Sequence, residues 1–156
     1  MEGIPQFFII KFYSTKGKYG CFSNFSKHPI RLKGKTWPTT EHYFQAQKFA
    51  GTDYEEDIRN APYAGAAAKM GRDRSNPLRK DWESVKEDVM YEAIKAKFTQ
   101  HEDIKKVLLN SGDAKIEEDS PIDWYWGVGK DHKGKNRLGI LLMRLRDELR
   151  EENKKT

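Results

Sequence analysis

The stretch of sequence that decides the fold is WPTTEHYFQAQKF, residues 37–49. Its proline suits the approach to a helix and Thr39 or Thr40 suits the N-cap, so the pattern predicts a helix that begins near residue 40. At 100° per residue, four side chains able to contact a ligand share one face of this helix: Glu41, Phe44, Gln45 and Lys48. Apolar side chains fall on the opposite face. The pattern favours a helix that lines a polar pocket; the alternative is an amphipathic helix whose charged groups lie in water.

The composition of the 156 residues is that of a globular protein, with 37% hydrophobic and 12% aromatic residues. No apolar run approaches the roughly 18 residues that a membrane span needs, so the sequence predicts no membrane association. The single cysteine, Cys21, excludes an intramolecular disulfide and favours a reducing, cytoplasmic location. The net charge of +5 suits an anionic partner such as a nucleotide or a nucleic acid.

The order of strand and helix signals predicts an α+β fold, with a single helix-dominated domain over residues 1–150 and a charged C-terminal tail over 151–156. A strand over 7–13 and a hairpin formed by Ile30-Arg31-Leu32 and Lys33-Gly34-Lys35, leading to Thr36-Trp37, predict a small N-terminal antiparallel sheet. Residues 116–126 are expected to be irregular or strand-like. The predicted helices span 40–49, 53–60, 64–71, 82–99, 101–110 and 136–149.

Three aromatic and polar clusters could carry chemistry: residues 22–25, the helix at 41–49, and residues 123–129. The third cluster, DWYWGVG, places Trp and Tyr rings in a glycine-containing loop, where a base can stack on them. Core packing of Trp124 and Trp126 beside a turn is the alternative for this cluster. Together, the clusters indicate a site the size of a nucleotide.

The stretch from Gly129 to Lys135 resembles the first part of a phosphate-binding P-loop, but Asn136 stands where the magnesium-binding Ser or Thr would be. A nucleoside-triphosphatase is therefore not predicted. The loop could still contact a phosphate through backbone N–H groups at the start of a helix. A glycine-rich turn with Asn136 as N-cap is the alternative.

Acid–base chemistry and an amine are better supported than metal or cysteine chemistry. The four histidines have no ligand spacing and Cys21 stands alone, so no metal is predicted. Glu41 and Asp123 are the better candidates, because a carboxylate that loses hydration in an aromatic pocket suits proton transfer near neutrality. Lys48 could bind a phosphate as a point charge or, if desolvated, attack a sugar C1 as an amine.

Taken in order, seven pieces of the sequence resemble the YbiA-like family, also called NADAR for its association with NAD and ADP-ribose. The pieces are Phe22-Ser23-Asn24-Phe25, Trp37-Pro38-x-x-Glu41-His42-Tyr43-Phe44-Gln45-Ala46-Gln47-Lys48-Phe49, Ala68-Lys69-Met70-Gly71-Arg72, Trp82, the segment from Met90 to Phe98, Asp123-x-x-Trp126-Gly127-x-Gly129, and Gly134-x-Asn136-x-Leu138-Gly139-x-x-Leu142-Met143. The resemblance covers roughly residues 6–147. One departure is the stretch KDHK at 130–133, which is more basic and less compact than the family's usual glycine-rich turn.

The resemblance implies a YbiA-like fold and hydrolysis of N-glycosidic bonds without a metal or other cofactor. It implies four catalytic residues: Glu41, Lys48, Trp82 and Asp123. Together with the clusters described above, it implies nine substrate-binding residues: Phe22, Asn24, Phe44, Gln45, Lys69, Arg72, Trp126, Gly127 and Asn136. Lys69 is also the second candidate amine.

The resemblance implies two substrate types: ADP-ribose attached to guanine in nucleic acid, and phosphorylated ribosylamino-pyrimidine intermediates of riboflavin synthesis. The positive charge slightly favours the first, because a polymeric anion gains from a basic surface. Breaking the ribose–nitrogen bond develops positive charge on C1 and the ring oxygen, which a fixed carboxylate stabilises while a proton donor assists the leaving base. Attack on C1 by water and attack by a lysine both remain open.

Two other classes of protein would use the same residues differently. A non-catalytic module could bind ADP-ribose or a nucleotide in the same pocket. A sequence-tolerant nucleic-acid binder could use the Lys and Arg side chains together with exposed aromatic rings.

Overall fold

The computed structural model describes residues 3–155 of the chain, and this part holds four β-strands, a short 3-10 helix at Gly20–Phe22 and six α-helices. The strands are β1 (Ile9–Phe12), β2 (Ile30–Leu32), β3 (Lys35–Trp37) and β4 (Lys115–Glu118). The helices are α1 (Thr40–Gln47), α2 (Asp53–Arg59), α3 (Ala64–Arg72), α4 (Trp82–Gln100), α5 (Glu102–Asn110) and α6 (Arg137–Lys154). The predicted α+β class is confirmed. None of the helices within the described residues is long and apolar enough to span a membrane.

The chain divides into two compact units. The continuous unit is Asn24–Gln100, and the discontinuous unit combines the residues up to Ser23 with those from His101 onward. The single domain expected over residues 1–150 stays a prediction.

The continuous unit begins with the predicted hairpin, which leads into α1. β2 pairs antiparallel with β3, with Ile30 opposite Trp37. Lys33 and Gly34 both have positive φ, at 55° and 73°, which matches the tight hairpin turn whose twist suits two antiparallel strands. The indole N–H of Trp37 donates to the Leu32 carbonyl oxygen, 3.0 Å away. α1 then packs against α2, α3 and α4, so the helix singled out by the sequence lies at the centre of this unit.

The discontinuous unit is built on a strand pairing that the sequence did not predict. β1 pairs in parallel with β4, with Ile10 opposite Ile116, instead of joining an antiparallel N-terminal sheet. Both of these isoleucines are buried, and α6 packs on β4, so burial of an apolar strand face accounts for the pairing. The buried side of α6 carries the predicted leucines: Leu138, Leu141, Leu142, Leu145 and Leu149.

α6 continues past Leu149 to Lys154, so most of the segment predicted as a charged tail is helical. Lys154 Nζ lies 3.3 Å from a carboxylate oxygen of Glu151, one turn earlier. An ion pair at this spacing adds a little helix stability, which an apolar pattern does not reveal.

Candidate active site

The polar face of α1 is enclosed by protein. All eight residues of α1 are buried, and Glu41 is only 7% exposed. Thr39 is the N-cap, because its Oγ1 accepts a hydrogen bond from the backbone N–H of His42 at 3.1 Å. The alternative of a helix with its charged groups in water is therefore wrong.

A hydrogen bond between side chains one turn apart fixes the Glu41 carboxylate. Gln45 Nε2 donates to Glu41 Oε2 at 2.9 Å. This bond fixes the orientation of the amide, so Gln45 Oε1 points away from Glu41 and accepts no hydrogen bond from any residue in the described part of the chain. Oε1 instead faces Gly71 of α3, where a Cβ atom would lie 1.9 Å from it. Gly71 therefore allows α3 to approach Gln45 and hold it against Glu41.

We expect Gly71→Ala to damage both stability and the site. The added methyl overlaps Gln45, so α3 or Gln45 must move, at about 1–3 kcal/mol of unfolding free energy. Displacing Gln45 releases Glu41, and activity should fall by about tenfold or more. Urea unfolding and turnover of the same preparation measure the two effects.

Gly65→Ala on the same helix is the matched control. A Cβ there would lie 3.3 Å from the ring of Tyr63, an exposed side chain that can move. Alanine also favours the helix over glycine, so this variant should be at least as stable as the parent protein. A Gly71→Ala protein with parental stability and activity would contradict the role assigned to this contact.

Lys48 is a buried amine at the end of α1. Its side chain is 8% exposed, and Nζ lies 3.5 Å from the Gly71 carbonyl oxygen and 5.7 Å from the centre of the Phe44 ring. The pKa of Lys48 is lowered to about 8, mainly by burial and also by the positive charges of Arg74 and Arg72, while the negative charge of Glu41 opposes the shift. A sizeable fraction of this amine is therefore neutral near physiological pH.

Two aromatic rings form the apolar wall beside Lys48. Phe44 of α1 and Trp82, the first residue of α4, meet edge to face with ring centres 5.1 Å apart. Both are 5% exposed. Trp82 thus holds Phe44 under the Lys48 amine, and the pair excludes water from one side of it.

The positive side of the site comes from the end of α3 and the residues that follow it. Arg72 and Arg74 are exposed and close enough to influence Lys48 electrostatically. Arg74 Nη1 also donates to the Gly71 carbonyl oxygen at 2.9 Å, the same oxygen that Lys48 approaches. Lys69 of α3 is exposed. Sequence reasoning missed Arg74, for which the only signal was a second arginine just after the helix.

Asn24 holds the start of α1. Its backbone oxygen accepts from the N–H of Glu41 at 3.1 Å, and its side-chain Oδ1 accepts from Thr40 Oγ1 at 2.9 Å. Asn24 Nδ2 lies 3.3 Å from the Met90 sulfur. The side chain predicted to bind substrate is thus placed to position Glu41.

His42 is a structural histidine that sequence reasoning left without a role. Its Nε2 lies 3.0 Å from the Ala61 carbonyl oxygen, which can only accept, so Nε2 carries the proton. Nδ1 lies 2.8 Å from Thr39 Oγ1, whose hydroxyl then donates to it. Burial lowers the pKa of His42, in keeping with a neutral ring. This ring ties the cap of α1 to the segment before α3.

In the discontinuous unit, Asp123 organises the aromatic loop. Its Oδ1 accepts from the backbone N–H groups of Tyr125 at 3.0 Å and Trp126 at 2.8 Å. Its own N–H donates to Ser120 Oγ at 3.1 Å. Trp126 is partly buried and meets Tyr125 edge to face. One carboxylate oxygen of Asp123 therefore orders the loop, because it accepts two backbone hydrogen bonds.

Asn136 and Gly127 fasten this loop to β4. Asn136 Nδ2 donates to the Ile116 carbonyl oxygen at 2.8 Å, and Oδ1 accepts from the Glu118 N–H at 3.0 Å. Asn136 occupies the N-cap position of α6 in a left-handed conformation, but its side chain bonds to the strand and not to the helix. A Cβ on Gly127 would lie 2.9 Å from the Glu118 carbonyl oxygen, so only glycine allows the loop to lie this close.

In the second half of the glycine and lysine loop before α6, the backbone N–H groups are already hydrogen-bonded. Each backbone N–H of residues 132–138 donates to an acceptor within the discontinuous unit, including five carbonyl oxygens of residues 124–128. The phosphate contact that the sequence left open is therefore not available through these N–H groups.

Phe22, also in this unit, is 1% exposed and packs on Phe12 and Tyr19.

The predicted site residues fall into two groups. The continuous unit brings together Asn24, Glu41, Phe44, Gln45, Lys48, Arg72 and Trp82 around α1, and Lys69 lies exposed on α3 of the same unit. The discontinuous unit holds Phe22, Asp123, Trp126, Gly127 and Asn136. Their catalytic and binding roles stay predictions.

The buried Glu41 carboxylate lies in the first turn of α1 and the buried Lys48 amine at its C-cap, in a helix-dominated α+β chain that carries the motifs described above. The family model named NADAR domain matches residues 11–150, and the chain belongs to this family. The resemblance to the YbiA-like family is thereby confirmed.

Its similar relatives include proteins named as glycosidases. N-glycosidase YbiA of Escherichia coli (strain K12) is 56% identical over 149 residues, which cover 96% of this chain and 93% of the relative. The NMR structure of the E. coli protein YbiA matches with a TM-score of 0.92 and 54% identity, covering 100% of this chain and 93% of that one. Riboflavin biosynthesis protein PYRR, chloroplastic, of Zea mays is 43% identical and covers 90% of this chain, which spans 25% of that longer protein.

Proposed function

We propose that this protein is an N-glycosidase that hydrolyses the bond between the ribose C1 and the nitrogen of a base, in a substrate that carries phosphate. The names of its NADAR relatives support the reaction class. The observation that carries the proposal is the buried Lys48 amine, whose pKa is about 8. A surface lysine would be almost fully protonated at neutral pH and could not act as a nucleophile.

The reaction begins with the neutral amine of Lys48. Its nitrogen forms a bond to C1 of the ribose as the bond from C1 to the base breaks, and the leaving base gains a proton. The sugar ring then opens, with a protonated imine between Lys48 and C1. Water adds to this imine and releases the sugar, which restores the amine. Glu41 accepts the proton that the amine loses and passes it to the ring oxygen as the ring opens. Solvent supplies the proton that the leaving base gains, and a proton returns to solvent when water releases the sugar as an aldehyde.

The substrate must offer a phosphate to the arginine side of the site. Arg72 and Arg74 supply two guanidinium groups near Lys48, and this arrangement suits the phosphate of a ribose phosphate or the pyrophosphate of ADP-ribose. The net charge of +5 favours ADP-ribosylated guanine in nucleic acid. The name of the Zea mays relative favours a ribosylamino-pyrimidine phosphate of riboflavin synthesis as the second candidate.

Parallel incubation with the two candidate substrates tests the proposal. Purified protein is mixed with an ADP-ribosylated guanine oligonucleotide or with the ribosylamino-pyrimidine phosphate, and the released sugar is measured by mass spectrometry. We expect catalytic release of ADP-ribose or ribose phosphate from at least one of them. Tight binding of ADP-ribose without cleavage of either substrate would overturn the enzyme proposal and favour the non-catalytic module. The single cysteine supports a cytosolic setting for the reaction.

A further inference from the structure

A cavity of about 350 Å³ opens in the discontinuous unit where the chain leaves β1. It is lined by residues 11–14 and 16–19, which we call the basic loop. This volume lies near the lower end of the roughly 300–1,000 Å³ typical of ligand pockets. The proposed catalytic groups around α1 are not among its lining residues.

The basic loop is strongly positive. Its lining residues include Lys11, Lys16 and Lys18, all exposed, and no acidic residue. Two carboxylates lie opposite lining residues in the strand register: Glu117 opposite Lys11, which pairs with Lys115 at 3.1 Å, and Glu118 opposite Phe12. Three lysines in eight positions therefore present charge for an anion.

The loop also offers aromatic surface. Tyr13 is 56% exposed, which leaves a ring face available for stacking. Lys18 Nζ lies 5.5 Å from the ring centre of Tyr19, so a positive charge and a second ring are combined at the end of the loop.

The backbone holds these groups in a defined arrangement. Gly17 has φ of +81°, and its carbonyl oxygen accepts from the N–H of Gly20 at 3.2 Å. Gly20 lies so close to Thr15 that a Cβ would be 2.0 Å from the Thr15 carbonyl oxygen. The loop therefore closes on itself, which reduces the entropy lost when its side chains bind a ligand.

We propose that the basic loop binds single-stranded nucleic acid, with the lysines on phosphates and Tyr13 stacked on a base. Lysines interleaved with exposed rings are the combination that binds single strands with little sequence preference. Binding by the basic loop would increase the affinity of the proposed glycosidase for a polymeric substrate. Binding is measured here without turnover, so failure of this inference leaves the proposed reaction untouched.

The test measures binding of a fluorescein-labelled oligo-dT to the full chain by anisotropy over a range of salt concentrations. The double variant Lys16→Glu/Lys18→Glu should bind about tenfold or more weakly near 0.1 M salt. Its slope of log affinity against log salt should decrease by about 1.4, since each single-strand phosphate contact contributes about 0.7. Tyr13→Ala should weaken binding roughly 5- to 100-fold, and Tyr13→Phe, which keeps the ring, should not.

The control is Lys106→Glu/Lys155→Glu, which makes the same change in charge at two exposed lysines of the same unit. An equal loss of affinity in this control would show a general charge effect and overturn the site. Absence of oligonucleotide binding by the parent protein would do the same. The last measurement uses vesicles of anionic phospholipid. If the parent protein binds these vesicles more tightly than the oligonucleotide, and Tyr13→Ala loses this binding, the loop binds a membrane surface instead of nucleic acid. All variants should cleave a small ribosylamino-pyrimidine phosphate at the parental rate if it is a substrate.

Discussion

Replacing Lys48 by methionine is expected to abolish turnover and to raise the free energy of unfolding at pH 7 by about 1–3 kcal/mol. Burial and, to a smaller extent, the charges of Arg74 and Arg72 lower the Lys48 pKa from 10.5 to about 8, so at pH 7 the folded protein holds a charged amine in a site that disfavours it. The shift corresponds to at most about 3 kcal/mol. Methionine has a similar length and no charge, so it removes this penalty with little loss of packing.

The pH dependence of the free energy of unfolding separates the cost of burying the Lys48 charge from an effect of packing. The folded-state pKa of Lys48 lies below its unfolded value, so the unfolded state binds more protons between pH 8 and about 10.5. The stability of the parent protein relative to Lys48→Met should therefore rise through this window and be lowest below pH 8. Urea unfolding at pH 7 and pH 10 measures it, with Lys80→Met, at an exposed lysine, as the control. A Lys48→Met protein less stable than the parent at pH 7 would contradict the burial argument.

The same amine predicts how turnover depends on pH. The rate should rise about tenfold per pH unit below pH 7 and level off above about 8, as the neutral fraction of Lys48 approaches one. Borohydride added during turnover should trap the imine on Lys48. Lys48→Arg should remove both turnover and the trapped adduct. Full activity in Lys48→Arg, with no adduct in the parent protein, would leave water as the attacking group.

Glu41→Gln is expected to lower turnover by about 100- to 10,000-fold while substrate binding is largely retained. Glutamine keeps the shape of the side chain, and its Oε1 can still accept from Gln45 Nε2. The variant removes the negative charge that raises the Lys48 pKa, so any remaining activity should level off at a lower pH than in the parent protein. Single-turnover rates across pH and titration with an uncleaved ADP-ribose analogue measure these effects.

Glu83→Gln is the matched control for this change. Glu83 belongs to α4 of the same unit, but its side chain is 81% exposed. This variant should turn over substrate at the parental rate. If Glu41→Gln also did so, the carboxylate would have no part in the chemistry; if it lost binding and turnover together, its role would be structural.

Local chemistry accounts for the elements that sequence could predict. The Lys33-Gly34 turn needs two residues that tolerate positive φ, and the Thr39 cap needs a hydroxyl before a helix. The contact between Glu41 and Gln45 follows from a spacing of four residues on a helix. These features depend on neighbours in the sequence, so the pattern predicts them.

Other features depend on contacts between distant segments. Nothing within β1 specifies a parallel partner as distant in sequence as β4, and the burial of Gln45 against Gly71 depends on the packing of α3 on α1. Asn136 illustrates the same limit: its sequence position suggests a helix cap, yet its amide binds the backbone of β4. The positions of Arg74 and Asp123 likewise follow from loops that only tertiary structure orders.

The pairing of β1 with β4 has a consequence for synthesis on the ribosome. β1 is made before β4, and the residues that pair with it are translated only after the whole of Asn24–Gln100. At a translation rate of 5–20 residues per second, the apolar side chains of β1 remain without their partner strand for about 5 to 20 seconds. During that interval the nascent chain carries the exposed ring surface of Phe7 and Phe8 next to an open strand edge. Chaperone capture or aggregation of stalled chains should therefore begin at this N-terminal segment.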